Sequence, residues 1–233
     1  MVVGQLNKIL SLFLLIIFSN QNLNAVEFEG KFTQGSFILG KTDPNSRVMV
    51  DNRNIKISKD GYFAFGLGRD RKNNVIIKIL KDNKTEVYEK KVFKRKYRIQ
   101  KIDGLPKKKV TPPKEVYERI KRENKIIFDA REINSDLTFF SKEFIKPLDN
   151  AIVTGVYGSQ RILNGKPKWP HYGIDFAAQE GTKIKAMLDG TATMVETDLF
   201  YTGGTLIFDH GHGISTLYMN MQKIFVKKGQ KVK

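Results

Sequence analysis

The chain has 233 residues, 40% of them hydrophobic and none of them cysteine, and 41 lysines and arginines against 24 acidic residues give it a formal charge of +17. That length leaves room for one or two proper cores, while the missing cysteines exclude both a disulfide framework and thiolate metal ligation. The charge points to an anionic partner or surface, and because no RRM-like or OB-like arrangement of aromatics accompanies it, nucleic acid is not the expected one.

Residues 1–25 read as a secretory signal peptide. Lys8 precedes an apolar run at 9–18 interrupted only by Ser11, and a polar tail ends at Ala25, after which cleavage is expected. The run is well short of the roughly 20 residues that span a bilayer. No later segment qualifies, so the mature chain is expected without a transmembrane segment and exported, to the periplasm of a Gram-negative type of cell.

From residue 26 to 106 short alternating runs are separated by turn signals, which predicts a small antiparallel β-sandwich of about seven strands. Phe37-Ile38-Leu39, Val48 and Val50, Ile55 and Ile57, Tyr62 to Phe65, Val75 to Ile79, Glu86 to Tyr88 and Tyr97 to Ile99 supply the runs. Asp43-Pro44-Asn45-Ser46 predicts a turn, and Lys59-Asp60-Gly61 a hairpin-type turn. Phe63 and Phe65 are expected in the core. With no catalytic constellation here, the half reads as an accessory domain.

Residues 107–146 read as a basic helical connector. Thr111 can cap a helix whose first turn takes Pro112, and Val116, Ile120 and Ile127 recur at helical spacing up to about Glu132. The basic runs from 90 to 125 form a solvated face or a docking surface for an acidic polymer. From 147 onward the turn-rich β pattern returns.

Chemistry concentrates in Pro170-His171-Tyr172-Gly173-Ile174-Asp175-Phe176. Histidine nitrogen and aspartate oxygen are zinc ligands at roughly 2.0–2.2 Å, so two of them on one ion lie only ~3–4 Å apart. On an extended strand, positions i and i+4 stand about 13 Å apart. The backbone must therefore bend, and Pro167, Pro170 and Gly173 argue against a helix. Gly173 is the expected bend. The other two histidines, His210 and His212, spell a second tempting motif.

Taken together, Tyr157-Gly158-Ser159-Gln160-Arg161, the His171–Asp175 segment, Gly181-Thr182, Asp189-Gly190, Gly203-Gly204-Thr205, Leu217-Tyr218 and the closing Val226-Lys227-Lys228-Gly229 resemble lysostaphin/LytM-type zinc metallo-endopeptidases. The resemblance covers roughly residues 147–233. It implies a mainly β fold, with an antiparallel LytM-like domain behind the sandwich and connector. It also implies a Zn2+ ion held by His171, Asp175 and one further ligand, and peptidoglycan peptide crosslinks as the substrate. The family's catalytic histidine, two residues after the Tyr of Leu-Tyr, is Asn220 here. Asparagine donates a hydrogen bond but shuttles no proton near neutral pH. The remaining ligand and a second active-site histidine belong to a later His-x-His segment that these residues do not contain. The expectation is a C-terminally incomplete domain, inactive or weakly active.

His210-Gly211-His212 precedes the Leu-Tyr block and is expected to be a structural turn, the alternative being a substitute zinc ligand. Arg161 is a candidate for a substrate carboxylate, with solvent exposure as the alternative. Trp169, Tyr172 and Tyr201 line a groove beside the metal or pack under loops. Met219 and Met221 are expected in the core. The functional alternative is a non-catalytic module that holds peptidoglycan or docks a cell-wall amidase.

Overall fold

The computed structural model describes residues 26–106 and 110–233. The expected signal peptide, residues 1–25, lies outside the described residues. Period-two alternation builds two antiparallel sheets. Strands β1 (Glu27–Glu29), β2 (Phe37–Lys41) and β5 (Tyr62–Gly66) pair in the order β1-β2-β5. Strands β3 (Arg47–Val50), β4 (Arg53–Ile55), β6 (Val75–Lys81) and β7 (Lys84–Lys90) pair in the order β4-β3-β6-β7. Between the sheets lie Ile38, Val48, Phe63, Val75 and Ile77, all at 0% exposure. Each such side chain contributes about 1.5–3 kcal/mol by leaving water. Phe63 stacks on Phe65 at 6.5 Å, so both aromatics are core as expected.

Two connections differ from the sequence reading. Lys59-Asp60-Gly61 does turn the chain, with the Gly61 N–H donating to Ser58 O at 3.0 Å. It closes no hairpin, because β4 and β5 belong to different sheets and the turn carries the chain between them. The strand expected at Tyr97 to Ile99 forms as β8 (Ile99–Ile102), but outside the sandwich. It runs parallel to β10 (Gln160–Leu163), with Gln100 opposite Arg161. Lys94, Arg95, Lys96 and Arg98 are exposed and offer the sandwich no apolar face. Its remaining edge position is taken by β1 instead.

Helix α1 (Tyr117–Arg131) opens later than predicted, after a 3-10 turn at Lys114–Val116. Thr111 does not cap it. Pro113 is extended, at ψ 155°, and a proline pair holds the residue before each proline away from helical geometry. The helix ends where expected, with Glu132 as its C-cap. Its apolar stripe, Ile126, Ile127 and Ala130, packs on Met194, Leu199 and Ile207. Glu123, buried on that face, accepts from Arg119 Nε at 2.6 Å and from Phe200 N at 2.8 Å, so its charge is paired.

The C-terminal part holds a four-stranded antiparallel sheet in the order β15 (Ile214–Met221), β14 (Gly203–Gly211), β13 (Gly190–Leu199), β16 (Lys231–Val232). Beside it, β9 (Ile152–Gly155) pairs with β12 (Asp175–Ala177), and β11 (Lys166–Pro167) extends the β8–β10 pair. The architecture is mainly β, as expected. Among the described residues no helix is long and apolar enough to cross a membrane.

Candidate metal centre

His171 and Asp175 arrive at one place by different devices. His171 is fixed through its backbone, which receives the Gly158 N–H on its carbonyl at 2.7 Å and donates its own N–H to Ser159 O at 2.8 Å. Asp175 starts β12, and the β9–β12 register shifts between Asp175 and Phe176. Such an irregularity re-aims a side chain relative to the regular pleat. Opposite it stands Gly155, where a Cβ would lie 2.3 Å from Asp175 Oδ2. Any side chain at 155 would displace the carboxylate.

The chain bends at Gly173 without entering the left-handed region. The result is His171 Nε2 at 3.0 Å from Asp175 Oδ1. His171 is 6% exposed, and its Nδ1 is buried without a hydrogen-bond partner. The carboxylate is half-open to solvent, and its second oxygen accepts from Arg161 Nη2 at 2.9 Å. Arg161 therefore faces the Asp175 carboxylate, a contact that neither sequence alternative for it contained.

A cation between His171 Nε2 and Asp175 would have a nitrogen and an oxygen donor of the types zinc takes. The pair fits two of the three protein ligands usual for catalytic zinc. The described residues contain no group of three or more His, Cys, Asp or Glu side chains able to hold a metal. They do not complete the set.

His210 and His212 are not brought to the pair by any contact. His210 is fully buried in β14, with Nδ1 at 2.7 Å from Asp189 O and Nε2 at 2.8 Å from Thr216 Oγ1. A carbonyl only accepts, so Nδ1 carries the proton and Nε2 accepts from the hydroxyl. Both nitrogens are committed to the fold. His212 sits in the following turn at φ +53°, its ring 4.7 Å from that of Phe140.

Burial is the leading cause that pushes both imidazoles below their ordinary value of 6.5, with the charge of Lys56 adding to the effect on His212 and a hydrogen bond to the Lys56 backbone opposing it. A histidine depressed in the folded state binds its proton more readily once unfolded. Its stabilising contribution is then whole above about pH 6.5 and is lost as pH falls through the folded value. Urea midpoints should therefore drop between about pH 7.5 and 5.5. That interval lies above the titration of Asp43, Asp51 and Asp136, which hydrogen bonds from Lys81, Arg71 and Lys56 hold below the ordinary carboxylate range. A flat profile would contradict the burial of His210 and the partial burial of His212.

Asn220 lies near the end of β15 at φ +58°, exposed, its N–H donating to Thr202 O at 2.8 Å. Met219, beside it, is 42% exposed rather than in the core. Tyr172 meets Tyr157 edge-on at 6.0 Å beside the pair, and Trp169 is 83% exposed. Tyr201 packs on Phe200 at the β13–β14 turn, 4.9 Å between centroids.

Residues 169–233 match the model of Peptidase family M23. The peptidoglycan DD-endopeptidase ShyA of Vibrio cholerae serotype O1 is 41% identical over 63 residues, 27% of this chain and 14% of that protein. An uncharacterized metalloprotease of Buchnera aphidicola subsp. Baizongia pistaciae is 31% identical over 121 residues, 52% of this chain and 31% of that protein. The chain thus spans less than a third of the length of either relative. Among solved structures, one designated peptidase M23 from Pseudomonas aeruginosa superposes with a TM-score of 0.63 at 22% identity, covering 87% of this chain and 79% of its own. That likeness extends over the sandwich as well as the C-terminal sheet, and it concerns the fold.

Proposed function

We propose that this chain, whose residues 169–233 belong to peptidase family M23, is an exported, periplasmic member of the zinc metallo-endopeptidases that act on peptidoglycan peptide crosslinks, and that the residues present here confer little or no turnover. The single observation that carries the reading is the 3.0 Å approach of His171 Nε2 to Asp175 Oδ1. The name of the Vibrio relative supports the substrate class, and the pattern of residues 1–25 supports export. The net charge of +17 suits a polymer rich in peptide carboxylates.

Bound zinc supplies a polarised carbonyl and a water whose pKa is brought to about 7. The chain's own residues would act around it. His171 and Asp175 hold the cation, Arg161 keeps the carboxylate turned toward His171, and Trp169 and Tyr172 offer exposed aromatic faces beside the pair. Asn220 can orient a neighbouring group but moves no proton.

Asn220 also favours a second reading, a non-catalytic module that holds peptidoglycan or docks a cell-wall amidase. The deciding experiment incubates the purified chain from Val26 with zinc and crosslinked muropeptides. Weak zinc uptake with little or no released product is expected. Robust turnover that a chelator stops would contradict the proposed lack of activity. Retention on insoluble peptidoglycan without product would favour the module.

A further inference from the structure

The sandwich has no catalytic groups of its own, yet it touches the segment that holds His171. Arg69, in the loop after β5, is nearly buried, with its side chain at 11% exposure. Its Nε donates to Gly158 O at 2.8 Å, across 89 residues of sequence. The guanidinium lies 4.3 Å from the Tyr97 ring centroid, and the Tyr97 hydroxyl donates back to Arg69 O at 3.0 Å. Gly158 is at φ +87°, and a Cβ there would be 2.0 Å from the Tyr97 ring. Only glycine lets the turn sit this close. A Cβ on Gly35 of the sandwich would likewise come within 2.3 Å of Tyr157.

The same turn, Gly158 and Ser159, makes both main-chain hydrogen bonds of His171. We infer that Arg69 is a positioning residue for the metal ligand: the sandwich holds the Tyr157–Ser159 turn through Arg69, and the turn holds His171 at the approach distance to Asp175. The accessory half is then part of the scaffold of the metal centre. This rests on the reading of His171 as a ligand, but its structural half can be read without metal.

The chain has three histidines, so its imidazole Hε1/Cε1 resonances are few enough to assign by substitution. In the metal-free chain, Arg69→Met should shift or broaden the His171 resonance and leave those of His210 and His212 in place. With zinc, affinity measured against a chromophoric chelator should fall about tenfold, the scale of losing an outer-shell partner. Arg69→Lys keeps a donor for Gly158 O and should return most of both signals. Val48→Ala, which opens the sandwich core away from the turn, should lower the thermal midpoint while sparing His171.

An unmoved His171 resonance in Arg69→Met, no recovery in Arg69→Lys, or an equal effect from Val48→Ala would each overturn the inference. Failure of the unaltered chain to take up zinc would instead count against the metal reading, and the metal-free resonances would still decide the positioning.

Discussion

His171→Ala and Asp175→Asn are each expected to lower the zinc affinity of the chain by about 100-fold or more, beyond the 10–100-fold seen for outer-shell partners. Among the described residues each removes one of the two donors that converge here, and no third stands by to replace it. The asparagine variant is the sharper one, since it keeps the shape of the side chain and the 3.0 Å approach to His171 while removing the charge a dication needs. Chelator competition reads the loss. In the metal-free chain the same substitution leaves Arg161 facing a neutral amide. The two side chains are 30% and 41% exposed, so the stability change should stay within ~1 kcal/mol. A large loss of affinity with a small loss of stability is the signature of a ligand rather than of a structural ion pair.

His210→Ala should show the opposite pattern. It deletes a fully buried ring from β14 and leaves Asp189 O and Thr216 Oγ1 without their partner. Cavity and unsatisfied-group costs together amount to about 2–4 kcal/mol. Zinc affinity should be unchanged, because both ring nitrogens already serve the fold. The variant should also lose part of the acid sensitivity below pH 6.5, the ordinary histidine value from which burial depresses His210. If His210→Ala instead abolished zinc uptake with stability intact, the His-Gly-His turn would have to be reassigned as a ligand segment.

What could be read in the sequence was local. The apolar alternation of Val75, Ile77 and Ile79 marked the buried face of β6, and Phe63 and Phe65 marked a core. A histidine and an aspartate four residues apart demanded a bend, and the chain bends there. What could not be read was long-range. Lys59-Asp60-Gly61 has hairpin chemistry whichever sheet the next strand joins. Tyr97 to Ile99 looks like one more sandwich strand, because nothing in it specifies a parallel partner some 60 residues onward. The proline pair after Thr111 has the composition of a helix opening, yet its steric effect delays one. Leu217, Met219 and Met221 alternate in sequence, but β15 carries no matching alternation of burial, and Met219 is exposed.

The site divides in the same way. The His171–Asp175 spacing is a property of one short segment, and the sequence carries it. The hold of Arg161 on Asp175 depends on how β10 meets β12, and that of Arg69 on Gly158 depends on how two halves of the chain dock. No residue pattern around Gly68-Arg69-Asp70 distinguishes it from any other basic loop.

The underlying claim is that imidazole 171 and carboxylate 175 share one divalent cation while the other two rings belong to the framework. Titrating zinc into the full chain and following its three histidine Hε1/Cε1 signals tests this directly. The His171 signal should move with added zinc and those of His210 and His212 should stay; a response at either of those two, or none at His171, would contradict the account.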